Sequence, residues 1–185
     1  MISSKYGRTE GESILNTSDK EYVRLDRMIF KGKKNIKWDE VENYLKKYYG
    51  KKYVIKLYGD EVCVNWQFAN EYVGSRYTKS LRGGLAKVKA NLVIILPQLL
   101  SAAYNRRWFS NREDKHNNNA SKGWYRYNVD FEVPVQAVNE NQVRWNKYAA
   151  TIIVRWNDSG LYLHDIINIK KKLARQENQK FDHLV

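Results

Sequence analysis

Two histidines, an arginine and a tyrosine are the side chains of this sequence best suited to moving protons around a phosphate. His116 stands beside Lys115 in a basic, asparagine-rich stretch, and an imidazole titrates near neutral pH, where one group can both give and take a proton. The alternative for His116 is an exposed loop histidine with no task. Arg155, Tyr162 and His164 flank the four residues Asn157, Asp158, Ser159 and Gly160. If these turn a hairpin, Trp156 pairs with Leu161, Arg155 with Tyr162 and Ile153 with His164. Arg155, Tyr162 and His164 then share one sheet face as neighbours within about 8 Å. Polar decoration of a solvated face is the alternative there. Cleaving RNA without a metal needs a group to deprotonate the ribose 2′-OH, a group to protonate the leaving 5′-oxygen, and cations for the phosphate. The expected roles are His116 as general acid or base, Arg155 and Lys115 on phosphate, and His164 or Tyr162 assisting. Metal-ligand spacing, a Walker loop and GxGxxG are all absent, and the single cysteine, Cys63, has no suggestive histidine neighbour. Zinc, nucleotide and thiol chemistries lose weight, and no cofactor is expected.

Cations are plentiful around these groups. The chain carries 33 Lys and Arg against 20 Asp and Glu, a formal charge of +13. Between Arg76 and Tyr127 eleven basic residues stand against two acids. Such a region attracts phosphates and gains affinity by releasing condensed counterions, so nucleic acid is the first partner to expect. A lysine-rich surface without that task is the alternative. The candidate phosphate contacts are Lys87, Lys89, Arg106, Arg107, Arg112, Lys115, Lys122, Arg126 and Lys170. For Lys87 and Lys89 a solvated helix face competes with that role. Trp124 and Arg126 lie out of phase with Tyr125, Tyr127, Val129 and Phe131, which places them to meet bases while the two tyrosines join the core or its edge.

The elements that must hold these groups follow from periodicity. A chain of 185 residues, 43% hydrophobic and 14% aromatic, suits one packed domain. Residues 1–36 are polar, mixed in charge and without a sustained period, which predicts an N-terminal arm. Trp38, Val41, Tyr44 or Leu45, and Tyr48 recur at helical spacing behind Asp39, Glu40 and Glu42, predicting an amphipathic helix that ends at Gly50. Alternation on both sides of Gly59 and Asp60 predicts a hairpin. Leu85, Val88, Leu92, Ile95 and Leu99 mark the main core helix, kinked or restarted at Pro97. Residues 105–123 have no core-forming period and predict a loop or frayed helix. A period of two from Trp124 predicts a long strand, and Tyr148–Trp156 with Leu161–Ile169 a closing hairpin. The domain then spans 37–172, with a helical tail over 173–185. Helix, strands, helix and a run of strands make an α+β fold, N-terminal helices packed on an antiparallel meander sheet. The longest apolar run, Leu92–Leu100, is about half the ~20 residues a membrane span needs. With no apolar leader and one cysteine, a cytoplasmic protein without a membrane span is expected.

Four blocks, WDEVENYLKKYYGKKYVI, NEYVGSRYTKSLRGGLAKVKAN, NRRWFSNREDKHNNNASKGWYRYNVDFEVPV and YAATIIVRWNDSGLYLHDIINIKKK, span roughly residues 38–172. Together they resemble domains found within large polyvalent proteins of phages and integrative elements, described as barnase, EndoU and colicin-type endoribonucleases. The resemblance implies helices leading into an antiparallel sheet of about four strands whose face binds RNA without a metal. Lys115, His116, Trp124, Tyr125, Tyr127, Arg155, Asp165 and Lys170 match the family's recurring positions. His164 departs from it, since relatives carry tyrosine before the aspartate of this block. The expected partner is RNA, tRNA among the candidates, and a toxin of this kind would have a cognate immunity protein. The competing expectation is a non-enzymatic anti-defence protein of a phage or mobile element, holding a host nucleoprotein complex through its basic face. DNA binding ranks last, because no helix-turn-helix spacing or dimer zipper is present.

Overall fold

The computed structural model describes residues 22–32, 35–112, 119–135 and 144–173. Local signals shape its first half. Asp39 and Glu40 occupy the first turn of α1 (Trp38–Leu45), where negative charge favours the helix dipole, and Val41 and Leu45 are buried. A 3₁₀ turn, Lys46–Tyr48, follows, and Gly50, at φ 76°, closes the element. β2 (Lys52–Ile55) and β3 (Asp60–Cys63) form the expected antiparallel hairpin.

Two helices that periodicity did not announce come next, α2 (Trp66–Gly74) and α3 (Arg76–Ser80). Each is started by a side-chain cap. Asn65 accepts from the Phe68 N–H at 3.3 Å, and Ser75 from the Thr78 N–H at 3.2 Å. The main helix divides as expected, into α4 (Gly83–Leu92), a 3₁₀ turn (Val93–Ile95) and α5 (Leu96–Ser101), with Pro97 in the first turn of α5 where its missing N–H costs nothing. By length and mean hydropathy the run Gly83–Ser101 could cross a membrane, but 61% of it is buried inside the fold, which makes it a core helix.

Among the described residues one seven-stranded sheet runs in the order β1-β5-β6-β7-β3-β2, with β4 also paired to β5. Its other strands are β1 (Val23–Arg24), β4 (Tyr104–Phe109), β5 (Gly123–Val135), β6 (Arg144–Asn157) and β7 (Gly160–Lys171). β5, β6 and β7 make the expected meander. The sheet is nevertheless mixed and not purely antiparallel, because β1 joins β5 and β3 joins β7 in parallel. Both are short strands from the helical half of the chain that take up edges the meander leaves open. The loop expected from residue 105 gives way to β4, whose Phe109 and Arg107 pair with Trp124 and Arg126. A Cβ on Gly123 would lie 2.6 Å from the Phe109 carbonyl oxygen, and its φ is 101°, so glycine is what lets β4 close on β5.

Tyr127, Val129 and Phe131 of β5, Ile152 and Val154 of β6, and Leu163 and Ile166 of β7 enter a core under the helices. Val23, Leu25 and Phe30, from the segment expected to be an arm, are buried with them. The opposite face carries Trp124, Arg126 and Asn128, the alternation expected. The architecture is α+β. Beyond Leu173 the expected helical tail lies outside the described residues.

Candidate nucleic-acid interface

The outer face of β4, β5, β6 and β7 carries three adjoining clefts. The central one, about 660 Å³, is lined by Trp108, Phe109, Arg112, Trp124, Arg126, Ile153 and His164, among others. Trp124 and His164 also line a second cleft of about 320 Å³, shared with Arg155 and with Trp66, Gln67, Asn70, Glu71 and Gly74 of α2. Arg126 also lines a third, with Tyr104, Arg107, Asn128, Asp130, Lys170 and Lys172. Shared walls make these one groove across the sheet.

Strand register positions the cations. Arg107 and Arg126 are cross-strand partners, Arg107 donates to Asn128 at 3.0 Å, and the Arg126 guanidinium lies 4.5 Å from the centre of the Phe109 ring. Lys172 pairs with Asp130 at 2.7 Å, and the Tyr104 hydroxyl donates to the other oxygen of that carboxylate at 3.1 Å. The floor of the groove is therefore basic and fixed by hydrogen bonds and ring contacts. At its other end the Trp124 and His164 rings meet edge to face, centroids 4.8 Å apart. His164 Nε2 stands 3.8 Å from a Glu71 oxygen. Arg155 pairs with Tyr162 across the hairpin as expected. Its guanidinium lies 5.1 Å from the centre of the Tyr162 ring and donates to Gln67 Oε1. Burial draws Arg155 down from its ordinary pKa, partly offset by Tyr162.

The structure brings Arg155, Tyr162 and His164 together, but through a different register. Val154 pairs with Leu163 and Ile153 with Asp165, not with His164 as expected, so His164 sits at a bulge. The cause is next door: Asp165 turns into the interior, where it accepts from Lys89 at 2.7 Å and from Ser75 at 3.0 Å. Lys89 is thus corrected from a phosphate contact to a fully buried partner of Asp165. Lys87 is half-buried on α4 and lines none of the three clefts. Arg106 leaves the groove for Asp60, 2.9 Å away, and for the Tyr58 ring. Lys122 stands 3.6 Å from Asp158 and near Trp156. His116 and Lys115 lie outside the described residues. Of the other positions carried by the family resemblance, Trp124, Arg155 and Lys170 line the groove. Tyr127 is in the core and donates to Asp60 at 2.6 Å, and Tyr125 packs beside it.

Sequence reasoning missed the α2 side chains, Glu71 above all. The signal was Asn65 followed by Phe68, Ala69, Tyr72 and Val73, a capped helical stripe that would have placed Gln67 and Glu71 off the buried row. Compared with known proteins, the chain matches no family model, no curated protein and no solved structure. Fold and groove thus define its class: an α+β protein with a basic, aromatic-walled sheet face.

Proposed function

We propose that this protein binds single-stranded RNA along the sheet-face groove and cleaves it, without a metal, at the Trp124 and His164 end. The observation that carries the reading is the continuity of the groove, which joins a track of Arg107, Arg126, Lys170 and Lys172 to a cleft holding an imidazole, a carboxylate and a guanidinium. Cations along a strand face follow a phosphate backbone, and aromatic rings beside them stack on bases. In the cleavage step the ribose 2′-oxygen attacks phosphorus and the bond to the 5′-oxygen breaks, leaving a 2′,3′-cyclic phosphate and a 5′-hydroxyl. Glu71 and His164 share the proton work: one takes the 2′-OH proton and the other delivers a proton to the leaving oxygen. Arg155 and Arg126 offset the charge that builds on the phosphate. Resemblance to the polyvalent-protein endoribonuclease domains supports this reading and makes the protein a cytoplasmic component of a phage or mobile element.

Labelled tRNA and total RNA incubated with the protein in EDTA test it. Cleavage is expected to fall about a hundredfold or more in His164→Ala, well beyond the roughly tenfold loss of RNA affinity that removing one ring from the groove wall can cause. Intact RNA with the wild-type protein would overturn cleavage. A second reading, a non-enzymatic anti-defence protein that occupies a host nucleoprotein, is favoured by Trp108 and Phe109, which stay 54% and 38% exposed beside the groove. Aromatic residues so placed suit a protein partner next to its RNA. Salt-sensitive RNA binding without cleavage is the outcome that selects it.

A further inference from the structure

The second cleft has features that a phosphate track does not need. Trp66, in the first turn of α2, is 58% exposed, although tryptophan is highly buried on average. The Trp124 and His164 rings line the same cleft. Gln67 Oε1 accepts from Arg155 and from Asn65, so its acceptor is occupied and its two amide N–H groups are what it can offer. Arg155, only 5% exposed, has a buried Nε–H with no acceptor among the described residues, whereas buried donors are nearly always paired. A side chain on Gly74 would meet nothing within 4 Å of its Cβ. The space beside the last turn of α2 is therefore open and is not required by the fold.

We propose that this cleft takes one unpaired nucleobase, flanked by Trp66 and by the Trp124 and His164 rings, with its edge read by the Gln67 amide. The inference rests on the RNA-binding reading above and names which part of the strand the α2 side of the groove recognises. A flat heteroaromatic ring suits such walls, since every base has a π-face. A reader that can only donate, aimed at the O4 or O6 position of the base, prefers uracil and guanine, which carry an oxygen there, over cytosine and adenine, which carry an amino group there.

Fluorescence anisotropy with labelled oligouridine, oligoadenosine and oligocytidine separates this pocket from the groove as a whole. The full chain is expected to bind oligouridine most tightly. Trp66→Ala should weaken that complex about tenfold and remove the base preference. Gly74→Leu, which fills the open space, should do the same while melting no lower than wild type, since a helical glycine is being replaced. If Trp66→Ala does not fold, Gly74→Leu alone decides. Salt-dependent binding of all three oligomers that neither variant alters would overturn the base pocket and leave the groove standing. No binding of any RNA by the wild-type chain would overturn both.

Discussion

Lys89 and Asp165 determine how the catalytic candidate His164 is presented. Asp165 accepts from Lys89, from the Ser75 hydroxyl and from the Ile166 N–H, while the Lys89 ammonium lies 4.5 Å and 4.9 Å from the Tyr72 and Tyr77 ring centres. Burial is the largest influence on both, pushing Asp165 up and Lys89 down, with their mutual attraction opposing it. Removing one partner strands a buried charge, so Lys89→Met should cost about 3–5 kcal/mol in urea unfolding. Lys89→Met with Asp165→Asn, which keeps an acceptor for Ser75, should recover most of that loss. Equal losses in both variants would sink the ion-pair account. The pH dependence follows from the same shifts. Above the ordinary carboxylate value of 3.8 the folded Asp165 holds its proton longer than the unfolded chain, so stability falls as pH rises through its raised pKa. Below the ordinary lysine value of 10.5 the unfolded chain holds the Lys89 proton longer, so stability rises with pH from the lowered pKa up to 10.5. Relative to the double variant, the wild type should therefore be least favoured between the two windows and gain on either side.

At the scale of elements, α2 is the part on which the candidate site depends most. It delivers Trp66, Gln67 and Glu71 to the cleft and packs on β7. Asn65→Ala removes its cap and should cost about 1 kcal/mol of stability. It should also weaken RNA binding more than a surface substitution of equal cost, with Asn65→Asp restoring stability. Unfolding curves and anisotropy on the same variants check both. The meander was legible because Tyr125 to Val135 and Tyr148 to Trp156 alternate with a period of two. So was the division of the core helix at Pro97. α2 was not, because its buried stripe is one short run directly after a strand, and β4 was not, because its residues are almost all exposed and carry no hydrophobic period. The bulge at His164 follows from Asp165 reaching a lysine 76 residues away, and no local pattern encodes a contact of that range.

For the molecule as a whole, the net charge of +13 acts through where the fold places it. Lys89 and Arg106 are spent on ion pairs with Asp165 and Asp60, whereas Arg107, Arg112, Arg126, Lys170 and Lys172 line the groove. If these five cations meet phosphates, a plot of log affinity against log salt for oligouridine should slope at about −3.5. Arg107→Ala or Arg126→Ala should each make it shallower by about 0.7. A flat plot would remove the polyanion reading altogether.

By itself the sequence determined the α+β class, the three-strand meander, the pairing of Arg155 with Tyr162, and a strongly basic character. These are properties of local period and composition, which neighbouring residues carry among themselves. Only the tertiary structure decided that Lys89 is buried, that β1 and β3 make the sheet mixed, and that Glu71 stands beside His164. Each depends on what covers a face or edge once distant segments pack, and periodicity specifies which side of an element is apolar without saying what will meet it.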